Sequence, residues 1–257
     1  MTTGPVGSLA GHTAFVSGSG KNIGKAIVLE FARRGANVVV NGHAHRDQVE
    51  RVVEEARAMG VKAVAAMADV SDPGQVESAV AAAASAVGAI DIAVSNVGVR
   101  LHQPFMSISP PDWDRIIKTN LSSAFYLAHA VLPGMQAKKW GRIIHISGRD
   151  GFFVKENRAH NVAAKAGLHA LAKAIALEFG PFGITANTVA PGITDTDRDL
   201  SQYPDHKAHR ARRIPALPAR RAGTVAEIAA ACAYFASEDA GYVTGALLHV
   251  NGGEFMY

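Results

Sequence analysis

Short apolar runs alternate along the chain with longer segments in which apolar residues recur every three or four positions. The first run, at residues 14–16, precedes a segment with apolar residues at Ile23, Ile27 and Phe31, which share one helix face. The next run, at residues 38–40, shows no polar alternation, as is typical of a strand that is buried on both faces. This alternation predicts repeated β-α-β units around a parallel sheet.

The same pattern continues to the end of the chain. Further helices are predicted over about 46–59, after Pro73, over about 111–138, through 165–179 and over 226–236. Further strands are predicted near 64 and at 90–95, 142–147, 184–189 and 247–250. The segment over about 193–222 shows no clear period, so we expect a loop or lid there. No repeat or linker interrupts the pattern. We therefore expect one α/β domain over residues 1–257, with a doubly wound parallel sheet and helices on both faces.

Composition narrows the class of protein. The 257 residues are 48% hydrophobic and 19% charged, which excludes a disordered chain. The net charge of +4 does not argue for a nucleic-acid partner. The single cysteine, Cys232, excludes an intramolecular disulfide and a cysteine-based metal site, and no metal site is expected. Because no signal sequence or membrane span is visible, we expect a soluble cytoplasmic protein without a membrane partner.

Three glycines, Gly18, Gly20 and Gly24, fall between the first strand and the first helix. At such a junction they let the backbone approach a pyrophosphate, which binds to the free N–H groups at the helix N-terminus. Glycines also serve tight turns for steric reasons alone. The strand before the cluster and the helix after it favour a dinucleotide site.

This turn, residues 17–24, resembles the T-G-x-x-x-G-x-G turn of the short-chain dehydrogenase/reductase family, with Asn22 in place of the middle glycine. Asparagine tolerates left-handed backbone better than most residues. The resemblance runs nearly end to end, through Asp69-Val70, Asn96-Val97-Gly98, Asn120-Leu121, Pro191-Gly192 with Thr196, and the stretch from Gly223 to Gly253. It implies a Rossmann-type fold and a nicotinamide cofactor.

The resemblance also implies which residues bind the cofactor. They are Ser17, Gly18, Gly20, Lys21, Asn22, Ile23, Gly24, Asn41, His43, Asp69, Val70, Asn96, Gly98, Lys165, Pro191, Gly192, Ile193 and Thr196.

Charge after the second strand favours NADP(H) over NAD(H). An NAD site usually places an acid there for the ribose hydroxyls, whereas a 2′-phosphate needs cations. No acid occurs between Val40 and Asp47, and Lys21 lies where NADP-preferring relatives carry a base. The alternative is that these are solvated loop residues.

The family's catalytic group is a tyrosine, with a lysine four residues later, a serine thirteen residues earlier and an asparagine on a neighbouring helix. The resemblance places Lys165 and Asn120 at the lysine and asparagine positions. Asn161 and Gly148 stand at the tyrosine and serine positions. An amide cannot act as a general acid or base, so the proton donor is missing from its usual place.

Three functions remain open on this evidence. The first is hydride transfer between NADP(H) and a small carbonyl, enone or alcohol, with a displaced proton donor such as Asp150, His102 or His160. Helical geometry turns His160 away from the face that carries Lys165. The second is a dinucleotide-binding regulatory protein without a redox step. The third is a non-redox lyase or isomerase that uses Lys165 or a histidine.

Two further features concern the substrate and the assembly. The basic segment at 206–213 lies where the family covers its substrate, which is compatible with a carboxylate, a phosphate or an acyl-carrier partner. The more common case for such a segment is an exposed basic helix with its charges in water. The helix over about 111–138 is apolar on more than one face, and residues 254–257 are expected to expose apolar groups. Because the family usually forms tetramers, we expect a homotetramer.

Overall fold

One parallel sheet organises the computed structural model, which describes residues 7–197 and 206–256, without the side chains of His206 and His209. Its strands are β1 (Thr13–Val16), β2 (Asn37–Gly42), β3 (Ala63–Met67), β4 (Ile92–Ser95), β5 (Gly141–Ile146), β6 (Ile184–Pro191) and β7 (Leu247–Val250). They lie in the order β3-β2-β1-β4-β5-β6-β7, and every neighbouring pair is parallel. The order reverses between β1 and β4, where ligands of such sheets bind at the carboxyl ends of the strands.

Helices cover both faces of the sheet. They are α1 (Asn22–Arg33), α2 (Arg46–Arg57), α3 (Pro73–Val87), α4 (Pro110–Ile117), α5 (Ser123–Lys138), α6 (Ala159–Phe179), α7 (His206–Arg213) and α8 (Val225–Ala236). One buried apolar cluster joins α1, α2 and α8 to the sheet, and a second joins α3, α5 and α6 to its other face. The predicted doubly wound architecture is confirmed.

Alternation along β1 shows why residues 14–16 are all apolar. The side chain of Phe15 packs in the cluster of α3, α5 and α6, while those of Ala14 and Val16 pack in the opposite cluster. All three are fully buried. A strand that is covered on both faces favours apolar side chains at successive positions, which explains this apolar run.

Two predicted elements differ from the structure. A π-helical turn at Lys118–Ser122 divides the helix predicted over about 111–138 into α4 and α5. The segment over about 193–222 is not irregular throughout, because it contains α7. The sequence of α7 carries no apolar stripe, so hydrophobic periodicity could not reveal it. The two ends of the segment pair through a parallel bridge between Thr194 and Gly223.

None of the helices in the described ranges combines the length and the apolar character that a bilayer crossing requires.

Candidate functional site

The glycine-rich turn is compact for steric reasons. Gly18 has a φ of +59°, and a Cβ on Gly24 would lie 2.4 Å from the carbonyl oxygen of Gly18. The Cα of Gly24 can therefore pack directly against the turn only without a side chain. No side chain caps the N-terminus of α1, where Lys21 is the flanking residue. Its first N–H groups can thus bind the oxygens of a pyrophosphate, and this cradle fits a dinucleotide.

Side chains from β4 hold the turn in place. The Ser17 hydroxyl accepts hydrogen bonds from the backbone N–H groups of Asn96 at 2.9 Å and Val97 at 3.3 Å. The Asn96 amide donates to the carbonyl oxygens of Ser17 and Gly18, both at 3.1 Å. Ser17 and Asn96 therefore join β1 to β4 at the point where the strand order reverses.

Asn41 supports the turn from the other side. Its side-chain oxygen accepts the N–H of Gly18 at 3.0 Å, and its amide nitrogen donates to the carbonyl oxygens of Ala66 and Ala68. The side chain is almost fully buried within β2. Asn41, predicted as a cofactor contact, thus has its amide occupied inside the protein and holds the glycine-rich turn through Gly18.

At the predicted adenosine end, no acid occurs between Val40 and Asp47 on the loop after β2. His43 and Lys21 are exposed, and the nearest cation along the chain, Arg46, pairs with Glu50. Gly20 lies beside α2, where a Cβ would have ordinary contacts only. Three other predicted contacts lie near this end. Asp69 accepts a hydrogen bond from the N–H of Ser71. Val70 is buried in the core, and Ile23 is half-buried.

Asn22 forms a link that the sequence did not reveal. It has a φ of +52°, and its side-chain amide donates to the carbonyl oxygen of Asp197 at 3.0 Å. Its side-chain oxygen accepts the N–H of Asp197 at 2.8 Å. This pair of bonds, the Asn22 clasp, joins the glycine-rich turn to the segment that follows β6.

The residues predicted to bind the nicotinamide lie at the end of β6. A Cβ on Gly192 would lie 2.7 Å from the Cα of Asn251, so the residue after Pro191 must be small. The carbonyl oxygen of Ile193 accepts the N–H of Gly223, which ties both ends of the segment over about 193–222 together. Thr196 is half-buried on the same stretch.

Lys165 lies at the carboxyl edge of the sheet. Its ammonium donates to the carbonyl oxygen of Ile146 at 2.8 Å, and a Cβ on Gly98 would lie 3.4 Å from its Nζ. Burial lowers the pKa of Lys165 to about 8, and the positive charge of Arg100 adds to the effect. At neutral pH the group is still protonated and has a proton that it can transfer.

Asn120 lies in the π-helical turn and fixes the loop after β4. Its side chain exchanges two hydrogen bonds of 2.7 Å with the backbone of Val99 and donates to the side-chain oxygen of Asn161 at 3.1 Å. The Asn161 amide nitrogen donates to the carbonyl oxygen of Leu101. The two amides therefore hold the backbone near Lys165 and leave Asn161 almost fully buried.

The ring of His160 is engaged within the protein. Its Nδ1 accepts the N–H of Asn161 at 2.9 Å, and its Nε2 lies 3.3 Å from the side-chain oxygen of Gln103, which in turn bonds to Asp112. Burial lowers the pKa of His160. A buried, neutral ring with both nitrogens in contacts is poorly suited to donate a proton to a substrate.

Asp150 is buried and paired. Both oxygens accept from the guanidinium of Arg158, at 2.9 and 3.1 Å. A carboxylate in such a pair accepts hydrogen bonds rather than donating them. His102 lies on the loop after β4 in a cationic environment, where burial and Arg158 lower its pKa. Asp150 is thus engaged with Arg158, and the surroundings of His102 favour its neutral ring.

Gly148 has a φ of +154° and a ψ of −177°, a region that only glycine adopts readily. We therefore expect Gly148→Ser to lower the free energy of unfolding by about 1–3 kcal/mol, the usual cost of such backbone strain. Denaturant unfolding of both proteins measures the difference. Gly134→Ser in α5 is the matched control, since a Cβ there meets nothing within 4 Å. Equal stability of Gly148→Ser and the parent chain would contradict this expectation.

The basic segment at 206–213 is not simply an exposed helix. Lys207 and Arg212 are exposed, as the alternative reading expected. Arg210 instead pairs with Asp195 and donates to the carbonyl oxygen of Thr194. The guanidinium of Arg213 pairs with Glu254.

The chain's closing residues also differ from expectation. Phe255 packs against Phe152 and His249 with ring centroids 5.8 and 5.6 Å apart, and Glu254 is mostly buried. Only Met256 is exposed as predicted, and Tyr257 lies outside the described residues. Because β7 ends beside β6, the tail turns back toward the loop after β5.

Sequence reasoning missed three cations near the site, Arg149, Lys155 and Arg158. All three lie on the loop after β5. No motif marks them, because they have no fixed spacing from the glycine-rich turn.

Residues 7–197 and 206–256 contain no group of three or more His, Cys, Asp or Glu side chains that could hold a metal ion.

Comparison with known proteins shows the family to which the chain is similar. Residues 18–254 match a protein-family model described as enoyl-(acyl carrier protein) reductase. The chain is 38% identical to the 3-oxoacyl-(acyl-carrier-protein) reductase FabG of Salmonella typhimurium over 249 residues, which cover 97% of this chain and 99% of that one. The corresponding protein of Escherichia coli is 38% identical over 246 residues, covering 96% and 98% of the two chains.

Solved structures share the fold. A putative gluconate dehydrogenase from Agrobacterium tumefaciens has a TM-score of 0.91 at 29% identity, covering 98% of this chain and 100% of that chain. A gluconate 5-dehydrogenase from Burkholderia cenocepacia, solved in complex with NADP and tartrate, has a TM-score of 0.89 at 31% identity and covers 96% of each chain.

Proposed function

The chain belongs to the short-chain dehydrogenase/reductase family and is an NAD(P)-dependent oxidoreductase, and we propose that it reduces a small carbonyl compound with NADPH, with Lys165 as the proton donor. On this proposal, Asn161 and Gly148 replace the tyrosine and serine that relatives use. The observation that carries the proposal is the position of the Lys165 ammonium, with one hydrogen bond to Ile146 and a lowered pKa.

In the proposed reduction, residues of the chain supply the proton and hold the site in place. When bound, NADPH supplies the hydride to the carbonyl carbon. As the carbon–oxygen π bond breaks, the oxygen takes a proton from the Lys165 ammonium, and the amine regains one from water. Asn120 and Asn161 hold the loop after β4 through hydrogen bonds to Val99 and Leu101. This keeps the backbone beside the Lys165 ammonium in a fixed position. General acid catalysis of this kind contributes about 10²–10⁴-fold in rate.

The arrangement of charged side chains at the predicted adenosine end supports NADP(H) as the preferred cofactor. His43 and Lys21 are exposed at the predicted 2′-phosphate position, and the first acid after β2, Asp47, already pairs with Arg51. A phosphate dianion is attracted to such a surface, whereas an NAD site needs a carboxylate for its ribose hydroxyls.

Two measurements test the proposal. We expect NADPH to bind at least tenfold more tightly than NADH, as read from the fluorescence of the reduced nicotinamide. We also expect the protein to oxidise NADPH with some members of a panel of ketones, enones and aldehydes. Tight NADPH binding without any oxidation would favour the regulatory alternative. Conversion of a panel compound without change in NADPH would favour the lyase or isomerase.

Further assignments complete the proposal. The segment over about 193–222, of which residues 198–205 lie outside the described residues, is assigned as a lid within a single domain. The pairing between Thr194 and Gly223 supports this assignment. A homotetramer is supported by Phe125, half-exposed on α5 beside Tyr126 and His129. We place the protein in the cytoplasm, where a buried free thiol such as Cys232 is common. Neither a nucleic acid nor a membrane is proposed as a partner, and no metal is needed.

A further inference from the structure

Two consecutive residues at the end of β5 hold both ends of Lys165. The carbonyl oxygen of Ile146 accepts a hydrogen bond from the Lys165 ammonium at 2.8 Å. The Ser147 hydroxyl donates to the backbone carbonyl oxygen of Lys165 at 3.2 Å. The N–H of Ser147 donates to the carbonyl oxygen of Val189 at 2.9 Å, which fixes the serine relative to the sheet. The side chain and the backbone of Lys165 are therefore both attached to β5.

His169, about one turn after Lys165 on α6, completes this attachment. Its Nε2 lies 2.7 Å from the hydroxyl oxygen of Ser147. A serine hydroxyl has one proton to donate, and a carbonyl oxygen can only accept. The hydroxyl therefore donates to Lys165 and accepts from His169, which places a proton on Nε2. Burial lowers the pKa of His169 to about 4, so that proton is the only one on the ring at neutral pH.

The loop after β5 holds the His169 ring in this orientation. The Phe152 ring stacks on it, with centroids 4.3 Å apart and planes 16° apart. A Cβ on Gly151 would lie 2.5 Å from Cε1 of His169 and 3.0 Å from the hydroxyl oxygen of Ser147. A side chain at position 151 would thus collide with the pair. Phe152 fixes the face of the ring and the Gly151 backbone fixes its edge, which keeps Nε2 directed at Ser147.

We propose that Ser147 and His169 are positioning residues, which determine where the Lys165 ammonium points. The inference rests on the proposed function, in which Lys165 donates the proton. Because a lysine stem is flexible, a bond at the ammonium alone would let α6 shift along β5. The second attachment, at the backbone of Lys165, opposes that shift. Proton transfer depends steeply on geometry, and a misplacement of about 1 Å can cost about 100-fold in rate.

The surroundings of Lys165 make its pKa a reporter of its position. Burial lowers this pKa most, Arg100 lowers it further and Asp150 raises it. His145 on β5 and His169 on α6 are neutral, because burial lowers their pKa values to about 3 and about 4. An ammonium that turns toward water should therefore titrate at a higher pH, nearer to its ordinary value. A fold that is only less stable would leave this pKa unchanged.

The first test measures the Lys165 amine directly and requires no turnover. The full-length protein is reacted briefly with acetic anhydride over a range of pH, and mass spectrometry reads the acetylation of Lys165. We expect the midpoint of this curve to move to higher pH in Ser147→Ala and in His169→Asn. The amide of His169→Gln reaches about as far as Nε2, whereas that of His169→Asn reaches only as far as Nδ1. His169→Gln should therefore keep the parent midpoint.

Ser237→Ala is the matched control for Ser147→Ala. Ser237 is also buried, and its hydroxyl donates to a backbone carbonyl oxygen, that of Tyr234, at 2.8 Å. This substitution removes a comparable hydrogen bond at the end of α8. It should leave the midpoint of Lys165 labelling as in the parent protein.

The second test is kinetic. We expect kcat for NADPH-dependent reduction to fall about 3–10-fold in Ser147→Ala and in His169→Asn, the effect of one lost hydrogen bond. KM for NADPH should change less than twofold, and His169→Gln should recover the rate. In the Lys165→Met protein the same substitutions should not lower the residual rate further, because they act through Lys165.

The two tests separate the positioning role from the proposed function. If no carbonyl compound is reduced but the labelling midpoint moves as expected, the proposed reduction fails and the positioning of Lys165 stands. An unchanged midpoint in Ser147→Ala and His169→Asn would overturn the positioning role, even if both variants unfold more easily. Equal midpoints in His169→Gln and His169→Asn would also overturn it.

Discussion

Lys165→Met should lower kcat/KM for NADPH-dependent carbonyl reduction by about 10²–10⁴-fold, the loss expected when a general acid is removed. Methionine keeps an unbranched apolar stem but has no proton to give, so the side chain still fills the space beside Gly98. The measurement is the initial rate of NADPH oxidation with the best substrate of the carbonyl panel.

The pH dependence of the reduction rate of the parent protein also tests Lys165 as the proton donor. The acid form of Lys165 is needed for reduction, and its pKa is lowered from 10.5 to about 8. The rate should therefore be constant below about pH 8 and fall tenfold per pH unit above it. For the reverse oxidation the amine form is needed, so the rate should rise through the same pH.

A second variant separates proton transfer from cofactor binding, because the family's lysine also holds the nicotinamide ribose. Lys165→Arg keeps a positive charge, but a guanidinium does not release its proton in this pH range. We expect Lys165→Arg to retain much of the NADPH affinity while losing the rate. A Lys165→Met protein within threefold of the parent rate, or a flat profile up to pH 10, would exclude Lys165 as the donor.

Asn22→Gly should speed the release of NADPH by about tenfold or more. The Asn22 clasp consists of two hydrogen bonds between the glycine-rich turn and Asp197. Each is worth about 0.5–1.5 kcal/mol, and both must open for these segments to separate. Glycine accepts the φ of +52° at this position without strain, so the substitution removes the clasp but keeps the backbone. Stopped-flow fluorescence of bound NADPH gives the release rate.

Asn157→Gly is the matched control for this experiment. Asn157 also has a positive φ, of +63°, but its contact with Gln103 is made through its backbone carbonyl oxygen. The same chemical change there should leave NADPH release as in the parent protein. If the two variants release NADPH at the same rate, the clasp does not limit opening of the cofactor site.

Sequence alone predicted the architecture because the sheet is buried on both faces. Apolar runs such as the one around Phe15 are typical of strands that are covered on both faces, and the glycine-rich turn marks where the first strand ends. The pattern could not reveal the π-helical turn at Asn120, since one extra residue in a helical turn leaves apolar periodicity almost unchanged. It could not reveal α7 either, whose side chains are mostly charged.

Some residues of the candidate site could likewise be predicted from the sequence, and others could not. Gly18 and Gly24 were predictable because backbone geometry requires glycine there. The roles of Asn41 and Asn22 could not be predicted, because the sequence does not show whether a side-chain amide binds a cofactor or the protein's own backbone. Arg149 lies on the loop after β5 and Glu254 near the end of the described residues, and only tertiary packing brings them together.

The backbone at Gly148 matters for any attempt to redesign the reaction. Its φ of +154° and ψ of −177° lie in a region that side chains rarely adopt. A serine introduced there must bear this strain or rotate the adjoining peptide units, and a rotation would move its hydroxyl. On the proposal that Lys165 donates the proton, redesign of the reaction should therefore begin at Lys165 and its neighbours rather than at Gly148.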